Sequence, residues 1–169
     1  MDIDELRAIQ APLKDQYRSE PTAAVVTLHA QGELGSEEVS CSVDTGRAMV
    51  EAGLHPATGG DGSLACSGDM LLQALVACAG VTLRSVALSM GIDIRGGTVC
   101  AEGDLDFRGT LAVDKIAPVG LSDIRLSFDL DTDAEDERLA TLLRLTERFC
   151  VVFQTLRTPP ALSASCNRR

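Results

Sequence analysis

A chain of 169 residues has the length of one domain with a core of its own. With 45% apolar residues but only one Tyr and no Trp, that core is expected to be aliphatic. The formal net charge of -10 repels phosphate backbones and argues against a nucleic-acid partner.

The opening "MDIDELRAIQ" has neither the cationic start nor the apolar core of a signal peptide. The longest nearly apolar run, Leu71 to Leu83, is short for a bilayer and is interrupted by Gln73, so no membrane partner and a cytoplasmic location are expected. Residues 2–18 read as a helical arm, with Ile3, Leu6, Ile9, Leu13 and Tyr17 recurring every three or four positions. Pro12 is expected to break the arm in two and Pro21 to end it.

Strand patterns follow at 23–31, "AAVVTLHAQ", and 38–44, "EVSCSVD", joined as a hairpin by "GELGSE". In the second strand Val39, Cys41 and Val43 share one face, which makes Cys41 a small core residue. Residues 45–68 hold six glycines and no sustained period. A loop of that length inside a compact domain is more often functional than idle.

It leads into a helix from about Asp69 to Ser89, capped by Ser67 or Asp69 and stopped by Gly91. Leu71, Leu75, Cys78, Thr82 and Val86 form one stripe, with Leu72, Val76, Ala79, Leu83, Ala87 and Met90 beside it. So wide an apolar surface predicts a central helix. In 99–107 and 121–130, apolar and polar residues alternate, as in antiparallel strands with one wet face, and 110–115 could extend or pair this ribbon. A last helix is predicted from a capping box at Thr132-Asp133-Ala134-Glu135 to about Arg157, with Leu139, Leu142, Leu143, Thr146, Phe149, Cys150, Phe153 and Leu156 on its apolar face. The order of elements predicts an α+β domain.

Six cysteines without a secretory signal are better read as reduced or redox-active thiols than as a disulfide framework. None forms a CxxC pair and there are two histidines, so no metal is expected. Taken singly, Cys78 and Cys150 on apolar stripes read as inert core fillers. Arg84, Arg148 and Glu147 lie near those stripes, however, and the glycine-rich loop runs into the helix of Cys78. A reactive thiol must be a thiolate and needs a cation or donor. Cys78 is too far inside its helix for the N-terminal dipole, so another segment is expected to bring an arginine, with Arg47 the best placed.

"GDMLLQALVACAGVTLRSVALSMGI" together with "LTERFCVVFQTL" resembles the OsmC/Ohr family of osmotically induced and organic hydroperoxide resistance proteins. The shared pattern is an acidic helix start, L-x-x-A-x-x-x-C on the central helix, and C-x-V-x-x-x-L on a later one. The resemblance spans residues 22–160, leaving 1–21 as an N-terminal arm and 161–169 as a tail. It implies an OsmC/Ohr-like fold, antiparallel sheets wrapped around two long central helices in an intertwined homodimer. It also implies thiol-dependent reduction of organic hydroperoxides without a cofactor. Cys78 would be the peroxidatic thiolate, set in an apolar pocket, and Cys150 the resolving thiol. The resulting disulfide would be reduced by a dithiol or lipoyl-type reductant. The family's assisting arginine is matched by Arg47, with Arg18 a poorer candidate. Its Pro-Glu ten residues before the cysteine is Gly68 here, with Asp69 one later; Asp69 and Glu147 are the acidic candidates. Family members commonly have Cys-Pro where this chain has Cys150-Val151.

Two other readings compete. One is an OsmC-like small-molecule-binding or structural dimer without significant peroxidase activity, with His55 and Cys66 lining a pocket. The other is metal storage through Cys66, Cys78 and His55, which has no spacing argument behind it.

Overall fold

The computed structural model describes residues 3–34, 41–43, 52–166 and 168, with side chains in these except at 3–7, 28–34 and 41–43. Helix α1 runs Ile3–Ser19 without interruption. Pro12 does not split it as expected: proline removes a single backbone bond, and here it sits on an exposed face. Tyr17 anchors the arm, buried with Phe107, Leu111 and Ala24 in a small second core. Its hydroxyl donates to the Ala57 carbonyl at 2.7 Å.

After a 3-10 turn at Pro21–Ala24, four strands form an antiparallel sheet in the order β2-β1-β5-β6: β1 Val25–Leu34, β2 Cys41–Val43, β5 Gly96–Asp106 and β6 Ser122–Asp131. The first hairpin pairs Leu34 with Cys41 and Gly32 with Val43, as the alternating pattern requires. Between β5 and β6 the register slips, with Glu102 opposite Arg125 but Asp104 opposite Ser122. The extra residue lies on β6, where Asp123 takes φ 50°, a left-handed conformation that Asp tolerates better than most. The bulge lets Leu121 face inward with Ile124, Leu126, Phe128 and Leu130. Residues 110–115 add no strand. Phe107–Thr110 is a single helical turn (α3), capped by the Asp106 carboxylate, and turns follow it.

Positions 38–40 and 44 of the expected second strand, Val39 among them, and residues 45–51 of the glycine-rich loop lie outside the described residues. The rest carries a short parallel pair, β3 Ala52–Gly53 with β4 Ala65–Cys66, and a 3-10 turn at Pro56–Thr58 capped by the His55 ring.

Helix α2, Ser67–Ser89, crosses one face of the sheet. Its N-cap is Cys66, without a side-chain bond, rather than Ser67 or Asp69; Asp69 still lies in the first turn, where the helix dipole favours an acid. At the other end the Ile92 amide bonds the Ala87 carbonyl (2.9 Å) and the Gly91 amide the Leu88 carbonyl (3.2 Å), with Gly91 at φ 61°. This pair of bonds closes the helix, with Ala87 and Ile92 both buried beside it. Leu72, Val76, Ala79, Leu83 and Ala87 form the buried stripe with Leu75, Val99, Ala101, Leu142 and Cys150. Each large member contributes roughly 1.5–3 kcal/mol by leaving water. The opposite face, with Met70, Val81 and Leu88, stays exposed, so within one chain α2 is buried on one side only.

The capping box at 132–135 does not form. Thr132 Oγ1 instead accepts from the Ala134 amide and donates to the Asp93 carbonyl (2.6 Å), and α4 starts at Asp136 with Glu135 as N-cap. Nor does one helix continue to Arg157. Helix α4 ends at Phe149, Cys150 is extended (φ -72°, ψ 110°), and α5 spans Val151–Arg157.

Candidate functional site

The break at Cys150 builds the site. The Cys150 amide closes α4 on the Thr146 carbonyl (2.9 Å), and the Cys150 carbonyl opens α5 by accepting from Gln154 (2.9 Å). The first amides of α5, at Val151, Val152 and Phe153, have no carbonyl within their own helix to bond. Sulfur lies against them. The Phe153 amide donates to Cys150 Sγ at 3.5 Å, and the amides of Val151 and Val152 lie near Cys78 Sγ on α2, where they favour its charged form. The Gln154 side chain donates to the Glu147 carbonyl at 2.7 Å, tying α5 to the last turn of α4.

Cys78 is half-buried and Cys150 has no exposed surface. They pack in one core cluster, and each thiol shifts the pKa of the other. Burial raises the pKa of Cys78, but the Val152 amide, the Cys150 thiol, the Val151 amide and the Thr82 hydroxyl together bring it below the ordinary thiol value. Cys150 is pushed up to about 11, first by burial and further by the charge forming on Cys78. The arrangement therefore sets two chemically distinct sulfurs side by side, one with its pKa lowered and the other with its pKa raised. A disulfide needs that proximity.

Backbone amides of α5 are among the groups that favour the charged form of Cys78, and three arginines of the chain have the following partners. Arg84 reaches the Ile94 carbonyl (2.5 Å), Arg148 lies 5.3 Å over the Phe149 ring, and Arg18 bonds Asp15 (2.7 Å). Arg47 lies outside the described residues. Asp69 is half-buried in the first turn of α2, nine residues before Cys78 and so about 14 Å from it along the helix. Glu147 is half-buried on α4.

Val151, Val152 and Thr82 went unrecognised as site residues in the sequence. Thr82 carries a signal, four residues after Cys78 and on the same helix face. For the two valines the signal was the commonly proline-marked break after Cys150, which forms here without proline.

His55 and Cys66 do line a cavity, of about 370 Å³, with Leu71, Leu105, Phe107 and Leu121; the His55 ring stacks on Phe107 at 4.9 Å. A second apolar cavity of about 320 Å³ lies between β6 and α4. Neither has Cys78 in its wall, so the expected peroxide pocket around that thiol is not among them. The metal reading fails on geometry. Cys66 caps the start of α2, about 18 Å along the helix from Cys78, and the described residues hold no metal-binding cluster of His, Cys, Asp and Glu.

The sheet-and-helix arrangement and the paired thiols define an α+β protein with a candidate redox site at a helix break. The family model for OsmC-like proteins matches residues 60–165, and the chain belongs to that family. Its fold is similar to that of an OsmC-like hydroperoxide resistance protein from Jannaschia sp. CCS1, with a TM-score of 0.58 over 82% of this chain and 91% of that one at 14% identity. A search of curated proteins found no match.

Proposed function

We propose that this chain is a cysteine-based peroxidase reducing organic hydroperoxides. The observation that carries the reading is the packing of Cys78 against the cluster that holds Cys150, with one pKa lowered and the other raised to about 11. The Cys78 thiolate attacks the terminal peroxide oxygen, the O–O bond breaks, and Cys78 becomes a sulfenic acid while the alkoxide takes a proton and leaves as the alcohol. The Cys150 sulfur displaces hydroxyl from the sulfenic acid, giving a Cys78–Cys150 disulfide and water. A dithiol or lipoyl-type reductant returns both thiols and is itself oxidised to a disulfide. In this reading Arg47 adds a cation to the donor set, and Asp69 acts through that arginine. The alcohol-forming substrate is taken to be apolar, given the aliphatic residues on both helices.

We also infer a homodimer. Met70, Val81 and Leu88 on α2, and Phe149 and Val151 at the α4–α5 break, leave an apolar surface beside Cys78 that a second copy would cover. The test of the peroxidase reading is turnover of cumene hydroperoxide with dithiothreitol. Wild type should consume peroxide and Cys78→Ser should not; Cys150→Ser should stop at a sulfenic acid that dimedone traps. Wild type inert toward every lipophilic peroxide and dithiol tried would leave the small-molecule-binding dimer as the better account, with the 370 Å³ cavity as its site.

A further inference from the structure

The cavity of about 370 Å³ at the start of α2 is used by no step of the peroxidase cycle. Cys66, in its wall, is about 18 Å along α2 from Cys78, so a molecule held there is not the one that meets the reactive thiol. Its volume falls within the range of small-molecule pockets. Phe107, buried, and Leu105 and Leu121, half-buried, give it apolar walls. Leu54, Leu71 and Val119 also line it and stay exposed, a surface that an apolar molecule would cover. Among the described residues no Lys, Arg, Asp or Glu lines it, so nothing in the wall would pair a charge taken out of water.

His55 is fixed in that wall by three contacts. Its ring stacks on Phe107 with centroids 4.9 Å apart, its Nδ1 accepts from the Ala57 amide at 3.0 Å, and its carbonyl accepts from the Thr58 hydroxyl at 2.9 Å. With Nδ1 an acceptor, the proton of the neutral imidazole is on Nε2, and Nε2–H is the donor the ring has to offer. Helix α1 holds the turn that carries this ring. Tyr17 donates to the Ala57 carbonyl at 2.7 Å and the Gln10 side chain to the Thr58 carbonyl at 3.2 Å. Gly59, at φ 96°, lies so close to the arm that a Cβ there would stand 2.5 Å from Ile9 Cγ2. A wall already in place lowers the ordering cost of binding.

We propose that this cavity is a second binding site, for a small uncharged molecule with an apolar body and a carbonyl oxygen that accepts from His55 Nε2–H. The uncharged wall selects against carboxylates and amines, and the fixed donor selects for an acceptor. The inference holds whether or not Cys78 turns over peroxide.

The test is a chemical-shift titration of isotope-labelled wild type with acetophenone and with ethylbenzene, its counterpart without the oxygen, read at the wall amides of Gly53, Gly68 and Gly120. Acetophenone should shift them saturably and bind about five-fold more tightly than ethylbenzene, the difference one neutral hydrogen bond makes. His55→Phe, which keeps a ring against Phe107 and removes the donor, should bring acetophenone down to the ethylbenzene level. Val119→Trp, which adds bulk at a position 65% exposed, should abolish binding of both and leave turnover of cumene hydroperoxide at the wild-type rate. Should His55→Phe not fold, the matched pair on wild type and Val119→Trp carry the test. Equal affinities in wild type, or binding that survives Val119→Trp, overturn the proposal. So does the lack of any saturable shift, as when another part of the chain or a second copy fills the cavity. Lost turnover in Val119→Trp would put the cavity on the path of the peroxide and overturn its standing as a second site. A wild type that binds acetophenone in this way but consumes no peroxide supports the proposal and sinks the peroxidase reading alone.

Discussion

Burial withdraws water from both thiols and by itself raises both pKa values. Both sulfurs lie beside backbone amides that favour a charge, but Cys150 is the more deeply buried of the two and the charge forming on Cys78 raises it further. With its pKa lowered, Cys78 keeps its thiolate below the pH where an ordinary thiol, near about 8.5, has lost it. Its reactivity falls only as pH drops through the lowered value. Cys150, at about 11, stays protonated until strongly alkaline solution. Iodoacetamide at about pH 7.5 is therefore expected to label the Cys78 peptide well ahead of the Cys150 peptide, and equal labelling would contradict the asymmetry. In the sequence the two cysteines look alike, each a small apolar-face residue. Their difference depends on which amides lose their carbonyls, a fact of chain direction at one residue.

At the scale of elements, apolar periodicity located α2 and α4 well, because a stripe repeating every three to four residues has few alternatives. Boundaries were less legible. Thr132 resembles a cap, yet its hydroxyl finds the Asp93 carbonyl, a group 39 residues away in the chain. The break at Cys150 had no proline to announce it, and the Cys150 sulfur accepts the Phe153 amide in place of a missing carbonyl. Gly91 was legible, and the structure explains it: at φ 61° it carries the turn that closes α2. A Cβ there would meet nothing within 4 Å, so Gly91→Ala is charged for backbone conformation alone, about 1 kcal/mol, seen as a lower urea midpoint with an unchanged slope.

For the whole molecule, the net charge of -10 shows nothing of how arginines and acids are paired. Arg108 holds Asp106, 8% exposed, at 2.5 Å; Arg125 holds Asp104 at 3.0 Å; and Arg95 holds Asp133 at 2.6 Å. Hydrogen bonds from these arginines lower all three carboxyl pKa values. Because each folded value lies below the unfolded one, the stability they add is fully present above about pH 4 and is lost as pH falls through the folded values. Thermal midpoints should accordingly drop as the buffer is taken below about pH 4, and Asp106→Asn should flatten part of that dependence. The proposed homodimer is a claim at this same scale. Wild type is expected to sediment at twice the chain mass and Leu88→Asp, at a position 72% exposed, to shift toward monomer. A wild type that stays monomeric at high concentration would overturn it.

By itself the sequence determined the fold class, the two cysteine-bearing helices, the antiparallel ribbons and the family, because these follow from local periodicity and from residue types at fixed spacing. Only the tertiary structure decided that α4 and α5 part at Cys150, that the start of α5 lies beside Cys78, and that the two thiols are unequal. The physical reason is that a pKa is set by whatever surrounds a sulfur in space, and here the groups around Cys78 come largely from residues more than seventy positions away in the chain.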